Sequence, residues 1–180
     1  MSAIAVEHLR SAIAATEEMK IRDAVEADLP AIIKIYNAAI ATRIATAQLE
    51  PVTLDERRNW LKEHSSDRHP FWVLEIDRSV AGWLTLKPFL PRCAYRGTAE
   101  VSVYVDERLR RRGVGRTLLG EAISRAPFLQ INAMVGLIFA HNKPSLRLFE
   151  QLGFERWGLL PRVAQLDDVE RDLTIMGRRN

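Results

Sequence analysis

"DERLRRRGVGRTLLGEAI" (residues 106–123) sets Arg108, Arg110, Arg111 and Arg112 ahead of Gly113 and Gly115, then runs into an apolar-striped helix. The arginine run admits three readings: a nucleic-acid patch, a solvated helix start, or a cradle for phosphate. Its flanks separate them. Before it, "TAEVSVYV" (residues 98–105) alternates as a strand, with Ala99, Val101, Val103 and Val105 on one face. Thr98, Glu100, Ser102 and Tyr104 share the other face. After it, Leu118, Leu119, Ala122 and Ile123 fall on one side of a helix. A helix N-terminus exposes unpaired amides and a partial positive charge. Glycine lets the backbone take φ > 0 and approach a ligand closely. A diphosphate can sit on such amides, with flanking arginines adding charge. The pattern is not a P-loop, because no Gly-Lys-Ser/Thr follows. Nor does it have the three glycines of the dinucleotide fingerprint.

The rest of the chain bounds the partners. Its 180 residues fit one domain, and 47% hydrophobic with 27% charged residues is an ordinary globular balance. A net charge of +3 and a pI near 9.3 are too mild to make nucleic acid the default partner. The single cysteine, Cys93, rules out a disulfide framework within the chain. No stretch of about 18 apolar residues suggests a membrane span. Residues 1–19 carry Glu7, His8 and Arg10 where a signal peptide needs an apolar run. They read as a helical extension before a domain at 20–180, and cytoplasm is the expected compartment.

The pattern predicts a first strand at 21–25. A helix follows, with Leu29, Ile32, Ile33, Tyr36, Ala39 and Ile40 inward, Asp28 as its N-cap and Pro30 in its first turn. Thr53 to Glu56 has capping-box spacing and predicts a second helix reaching Trp60 and Leu61. Strands at 71–76 and 80–86 flank Asp77-Arg78-Ser79, a hairpin signal. Another strand is expected at 133–140, then a short helix in "NKPSLRLFEQLGF", with Pro144 in its first turn and Gly153 as its stop. Last strands fit around 154–158 and 171–176. The order β-α-α-β-β-β-α-β-α-β-β predicts an α/β domain, a mixed sheet with helices on its faces.

Two segments now carry a resemblance. "VYVDERLRRRGVGRTLL" resembles the coenzyme motif R/Q-x-x-G-x-G/A of the GNAT superfamily of acetyl-CoA-dependent N-acetyltransferases, and "NKPSLRLFEQLGF" resembles its N-x-x-S…F-E-x-x-G-F helix. "IYNAAIATRIATAQLEPVT", "RHPFWVLEIDRSVAGWLTLKPF" and "RCAYRGTAEVSVYV" are similar to the phosphinothricin acetyltransferase-like branch, so the resemblance spans nearly all of residues 20–178. It implies the GNAT fold, with a mostly antiparallel sheet and helices on both faces. It also implies acetyl-CoA as cosubstrate, with no metal, and a homodimer. The backbone of Val103, Tyr104 and Val105 would pair with the pantetheine arm. Arg110 would lead the motif, and Arg111, Arg112, Gly113, Val114, Gly115 and Arg116 would wrap the diphosphate. Asn142 would bond the pantetheine arm, although its position also permits a plain N-cap.

Acetyl transfer needs an amine that has lost its proton, a donor for the oxyanion, and only mild help for a thiolate whose acid has a pKa of about 8.5. Glu100 is the candidate base, on the polar face of the coenzyme strand and where the branch places a glutamate. Ser102 shares that face as a substrate contact. Arg92 is the candidate grip for an acceptor carboxylate, with Arg96 competing, and Tyr95 a candidate pocket wall. Two positions depart from the branch. Phe149 stands where many members carry tyrosine or histidine as general acid, which leaves water or Tyr104 to protonate the thiolate. Ala47 stands where an aromatic is common near the acceptor, which predicts a wider or differently shaped pocket.

The expected reaction is direct transfer of acetyl from acetyl-CoA to the primary amine of a small amino acid or a phosphinothricin- or methionine sulfoximine-like analogue, in a ternary complex. The rivals are acetylation of a protein N-terminus or polyamine, a non-catalytic acyl-CoA-binding module, and a nucleic-acid binder. A polyamine site should be acidic, whereas "KPFLPRCAYR" is basic. His64, His69 and His141 have no metal-ligand spacing. Trp60, Trp72, Trp83 and Trp157 are scattered and read as packing residues, without the basic interleaving of a base-stacking face.

Overall fold

A computed structural model describes residues 19–180. The expected extension at 1–19 lies outside the described residues except for Met19, which begins the first strand. Seven strands form one sheet in the order β1-β2-β3-β4-β5-β7-β6. They are β1 (Met19–Asp23), β2 (Phe71–Ile76), β3 (Ser79–Pro88), β4 (Thr98–Val105), β5 (Ala133–Phe139), β6 (Glu155–Leu166) and β7 (Val169–Arg179). All neighbours are antiparallel except β4 and β5. The helices are α1 (Leu29–Ala41), α2 (Leu54–Arg57), α3 (Val114–Arg125) and α4 (Lys143–Gln151).

Each face of the sheet has its own core. The α1 stripe of Leu29, Ile32, Ile33, Tyr36 and Ile40 packs on Phe71, Val73 and Trp83. On the opposite face, Leu118, Leu119 and Ala122 of α3 and Leu146 and Phe149 of α4 pack on Leu84, Leu86, Val101, Met134 and Met176. At about 25 cal/mol per Å² of apolar area removed from water, these two layers supply the main drive to fold. Asp77 and Arg78, at φ 49° and 62°, make the two-residue turn between β2 and β3.

The structure differs from the sequence reading at several ends. The first strand begins at Met19 rather than Ile21 and finishes at Asp23. Asp28 precedes α1 but does not cap it. Its carboxylate accepts instead from the Val25 amide at 2.8 Å and from Arg22 at 2.6 and 2.8 Å. The Thr53–Glu56 capping box forms, yet α2 stops at Arg57. Trp60 turns into the α1 core instead, its ring edge-on to Tyr36 at 5.3 Å, with the Arg57 guanidinium over the ring at 4.5 Å from its centroid. The last two strands are far longer than expected and form a hairpin ending at Asp167-Asp168. Pro161 falls in a register shift between Leu160 and Ala164, where an edge strand tolerates the missing amide.

Candidate active site

β4 pairs with β3 along its whole length, from Gly82 opposite Val105 to Pro88 opposite Ala99. Its pairing with β5 covers only Thr98, Ala99 and Glu100, opposite Ala133, Met134 and Val135. Beyond Glu100 the two strands part. The stretch from Val101 to Val105 therefore borders a wedge in the sheet with no strand on its β5 side. Buried backbone groups require partners, so an extended amide-bearing chain is a natural occupant of such a wedge.

The arginine–glycine junction closes the wide end of this wedge. Asp106 accepts from the Arg108 amide at 2.9 Å and from the Arg108 guanidinium at 3.0 and 2.7 Å. These bonds hold the Asp106 carboxyl down at about 2 and fix the one-turn 3₁₀ helix at Glu107–Leu109. Arg111 at φ 64° and Gly113 at φ 86° then swing the chain into α3. Thr117 donates to the Gly113 carbonyl at 2.9 Å, so the amides of Val114, Gly115 and Arg116 have no intrahelical acceptor. The space where a Gly113 side chain would project is open, whereas a Cβ on Gly115 would lie 3.1 Å from Leu148. Gly113 thus serves the turn, and Gly115 serves the close approach of α3 to α4. Arg110, Arg111 and Arg112 are exposed around these amides, and Arg116 reaches Gln151 at 3.4 Å. Donors, helix dipole and cations converge on one open loop, which fits a diphosphate.

Asn142 makes the plain N-cap that its position permits. Its side-chain oxygen accepts from the Ser145 amide at 3.2 Å, and its Nδ2 donates to the Ile44 carbonyl at 3.3 Å. His141 meets the Arg43 carbonyl at 3.1 Å, so the start of α4 is tied to the loop after α1.

Glu100, Ser102 and Tyr104 do share one face, the α1 face. Each stands opposite a β3 residue: Lys87, Thr85 and Trp83. Glu100 is half-buried at the vertex of the wedge. Tyr104 stacks on Trp83 at 4.4 Å and meets Tyr36 edge-on at 5.2 Å. Burial, with Tyr36 and Glu100 nearby, pushes its phenol well above the ordinary range, so it stays protonated. Beside it lies a cavity of about 50 Å³ walled by Thr85, Lys87, Ser102, Tyr104, Trp83 and His64. Among the described residues, His64 Nε2 and Trp83 Nε1 are buried without a partner. His64 Nδ1 lies 2.7 Å from the Trp60 carbonyl, which assigns the ring hydrogen to Nδ1 and leaves a lone pair on Nε2. Burial lowers the His64 pKa and favours this neutral form. A donor and an acceptor in so small a polar space suit one bridging water. Sequence reasoning read His64 only as lacking metal-ligand spacing and Trp83 only as a packing residue, since neither spacing nor periodicity marks their shared space.

The candidate acid slot is apolar. Phe149 is 2% exposed and lies edge-on to Phe154 at 4.7 Å. Arg92 is exposed on the loop between β3 and β4 and lines neither the cavity beside Tyr104 nor the one at the start of β4, and Ala47 and Cys93 are exposed as well. Tyr95, 41% exposed, meets Phe89 edge-on at 6.3 Å. Arg96 lines a separate, larger cavity at the start of β4. Among the described residues no His, Cys, Asp and Glu group has the arrangement of a metal site, and no helix is long and apolar enough to cross a membrane.

Residues 32–154 match the model of the acetyltransferase (GNAT) family. The chain belongs to this family. The GNAT assignment is supported by whole-length likeness. "Putative phosphinothricin acetyltransferase YwnH" of Bacillus subtilis is 47% identical over 161 residues, 89% of this chain and 98% of that protein. The L-methionine sulfoximine/L-methionine sulfone acetyltransferase of Pseudomonas aeruginosa is 37% identical over 157 residues, 87% of this chain and 91% of its own. The crystal structure of a GNAT phosphinothricin acetyltransferase from Sinorhizobium meliloti in complex with AcCoA superposes with a TM-score of 0.84 at 30% identity. That match covers 89% of this chain and 88% of the other. The seven-stranded, mostly antiparallel sheet with helices on both faces is the GNAT architecture that the sequence resemblance implied.

Proposed function

We propose that this GNAT protein transfers acetyl from acetyl-CoA to the primary amine of a small amino acid or amino-acid analogue of the phosphinothricin or methionine sulfoximine kind. The observation that carries this reading is the half-buried Glu100 at the vertex of the β4–β5 wedge, with the amide-rich Arg110–Arg116 loop at the wedge's open end. Residues 110–116 would hold the diphosphate, and the backbone of Val103, Tyr104 and Val105 the pantetheine arm. Bound acetyl-CoA supplies an activated thioester. The relatives' named substrates and the basic loop from Lys87 to Arg96 favour an amino-acid acceptor over a polyamine.

Glu100 takes a proton from the acceptor ammonium, directly or through water, and frees the lone pair for attack on the thioester carbonyl. Lys87 stands opposite it on β3. A β4 amide facing the wedge donates to the developing oxyanion. Ser102, one pleat along the same face, contacts the acceptor. Tyr104 offers a hydrogen bond from a phenol that retains its proton. The thiolate leaves with little assistance, since it is a weak base whose conjugate thiol has a pKa of about 8.5. Arg92 supplies a guanidinium from the loop for the acceptor carboxylate.

Dependence on acetyl-CoA accords with action in the cytoplasm. Trp157, Leu159, Leu160 and Val163 are exposed on the edge strand β6 and support a homodimer. The activity is tested by thiol release from acetyl-CoA with purified protein and a panel of amines. Release that requires a small carboxylate-bearing amine is the expected result.

A further inference from the structure

Acetylation of an ammonium takes two protons off the acceptor nitrogen, and Glu100 accounts for one. The first leaves so that the lone pair can attack. The second leaves once the new N–C bond has made the nitrogen cationic again. Phe149 cannot exchange a proton, and the Tyr104 phenol keeps its own. Another titratable group stands on the α1 face. His64 Nε2 is buried without a hydrogen-bond partner among the described residues, and the ring borders the cavity of about 50 Å³ that Thr85, Lys87, Ser102 and Tyr104 also wall. In the β3–β4 register Lys87 stands opposite Glu100, and Ser102 follows Glu100 one pleat along. Directly opposed side chains start about 5 Å apart. Successive side chains on one face of a strand start about 6.8 Å apart. Glu100 itself is outside the cavity wall, but both of these neighbours are on it, and water spans a gap of this size.

The His64 ring is set to take a proton at Nε2. Its Nδ1 hydrogen is committed to the Trp60 carbonyl at 2.7 Å, a bond that survives protonation, and Phe71 lies against the ring at 5.2 Å. An imidazole held in this way gains a proton on the far nitrogen without turning. The titratable groups around it are Lys87 from β3, Glu63 on its own turn, His69 on the loop before β2, Tyr36 from α1 and Tyr104 from β4. Burial disfavours the imidazolium, the Trp60 carbonyl favours it, and Lys87 and Glu63 act in opposite senses. A proton gained at Nε2 is therefore readily passed on. We infer that His64 is the second proton acceptor of the reaction, reached from the acceptor nitrogen through water in the cavity beside Ser102. One proton goes from the ammonium to Glu100, and the N–C bond forms. The other then passes through water to His64 Nε2, and the C–S bond breaks. The thiolate takes one of these two protons back through water, and the other goes to solvent. His64 touches neither substrate nor coenzyme and acts as a positioning residue through that water. The inference rests on the acetyl-transfer reading of Glu100 and its wedge.

Two readouts test it. The first is the pH profile of kcat for the native full chain and for His64→Gln, with the fastest acceptor of the amine panel. Glutamine keeps a hydrogen-bonding group at the cavity but takes up no proton. The variant's kcat should fall about tenfold or more near neutral pH, with both KM values little changed. The native profile should decline in two steps on acidification, the first below the ordinary imidazole value of about 6.5 and the second in the carboxylate range. His64→Gln should keep only the second. The other readout is nitrogen-15 NMR of the histidine rings in the native chain, which needs neither turnover nor a folded variant. It should show His64 carrying its hydrogen on Nδ1 at pH 7 and taking up a proton at Nε2 on acidification. Unchanged kcat or an unchanged two-step profile in the variant would overturn the inference. So would a ring already protonated on Nε2 at neutral pH, or one that takes up no proton before the chain unfolds. Absence of acetyl transfer to every amine beside the expected NMR result would overturn the acetyl-transfer reading itself, and the proton route with it.

Discussion

Phe149 of α4 lies against Gly136 of β5 so closely that a side chain at Gly136 would run into its ring. The general-acid slot of this helix is therefore a packing position, sealed from the wedge by contact with backbone. Two results should follow. Gly136→Ala should cost about 1–3 kcal/mol of stability, measured by urea unfolding, because the ring has no room to retreat. Phe149→Leu should lower stability while leaving kcat within a small factor of the native value. Loss of a real proton donor would cost about 100-fold or more. A loss of that size with retained folding would give Phe149 a role that its chemistry does not explain.

Glu100→Gln removes the proposed base and keeps the shape of the side chain. The expected loss in kcat/KM is about 100- to 10,000-fold near neutral pH. The defect should shrink as pH rises, since an amine already free of its proton needs no base. A pH–rate profile parallel to that of the native protein would remove Glu100 from this role.

Gly113 holds φ 86° at the cap of α3, with open space where a side chain would stand. The cost of Gly113→Val is therefore backbone strain, about 1–3 kcal/mol, rather than collision with the protein. Because the strain falls where the diphosphate would sit, affinity for coenzyme A should fall further than stability does. Equilibrium binding of coenzyme A alongside thermal unfolding separates the two. Native affinity in a destabilised variant would sink the cradle assignment.

Asp106 and His64 both contribute to the acid limb of stability. Asp106 titrates at about 2 when folded, held down by Arg108, against about 3.9 when unfolded. Its contribution is present above the unfolded value and is lost as pH falls through the folded one. His64 is lowered by burial, so below the ordinary imidazole value of about 6.5 the unfolded chain takes up the proton more readily. In both windows the unfolded state binds more protons, so stability rises with pH. The urea midpoint should therefore climb from pH 2 to 4, and again as His64 becomes neutral on approach to pH 7. His64→Gln should flatten the second rise, and Asp106→Asn the first. Because Arg108 is largely exposed, the first effect should be small and weaken with salt.

Local patterning made most of the architecture legible before any coordinates. The inward residues of α1 and α3, the alternation of β4 and the Gly113 turn all follow from period and glycine chemistry, and each appears as expected. Tertiary demand overrode it elsewhere. Trp60 left the helix its capping box began because the Tyr36–Trp83 cluster offered more burial. Asp28 gave up its cap to pair with Arg22, which also holds Glu75 at 2.5 Å. Pro161 hid a long strand because only an edge position accommodates it. Glu100 and the arginine loop were readable as chemistry, since both belong to one continuous strand–loop–helix run. The cavity of Arg68, Arg96 and Arg179 was not, because those residues come from three distant segments that only the sheet assembles.

The most direct test of the account is free-thiol release from acetyl-CoA by purified native protein beside Glu100→Gln. The acceptors are phosphinothricin, glutamate, methionine sulfoximine, spermidine and a short peptide. The account predicts release by the native protein that depends on an amino-acid-like acceptor and is largely abolished by the substitution. Release only with spermidine or peptide, or equal release by the variant at neutral pH, would contradict it.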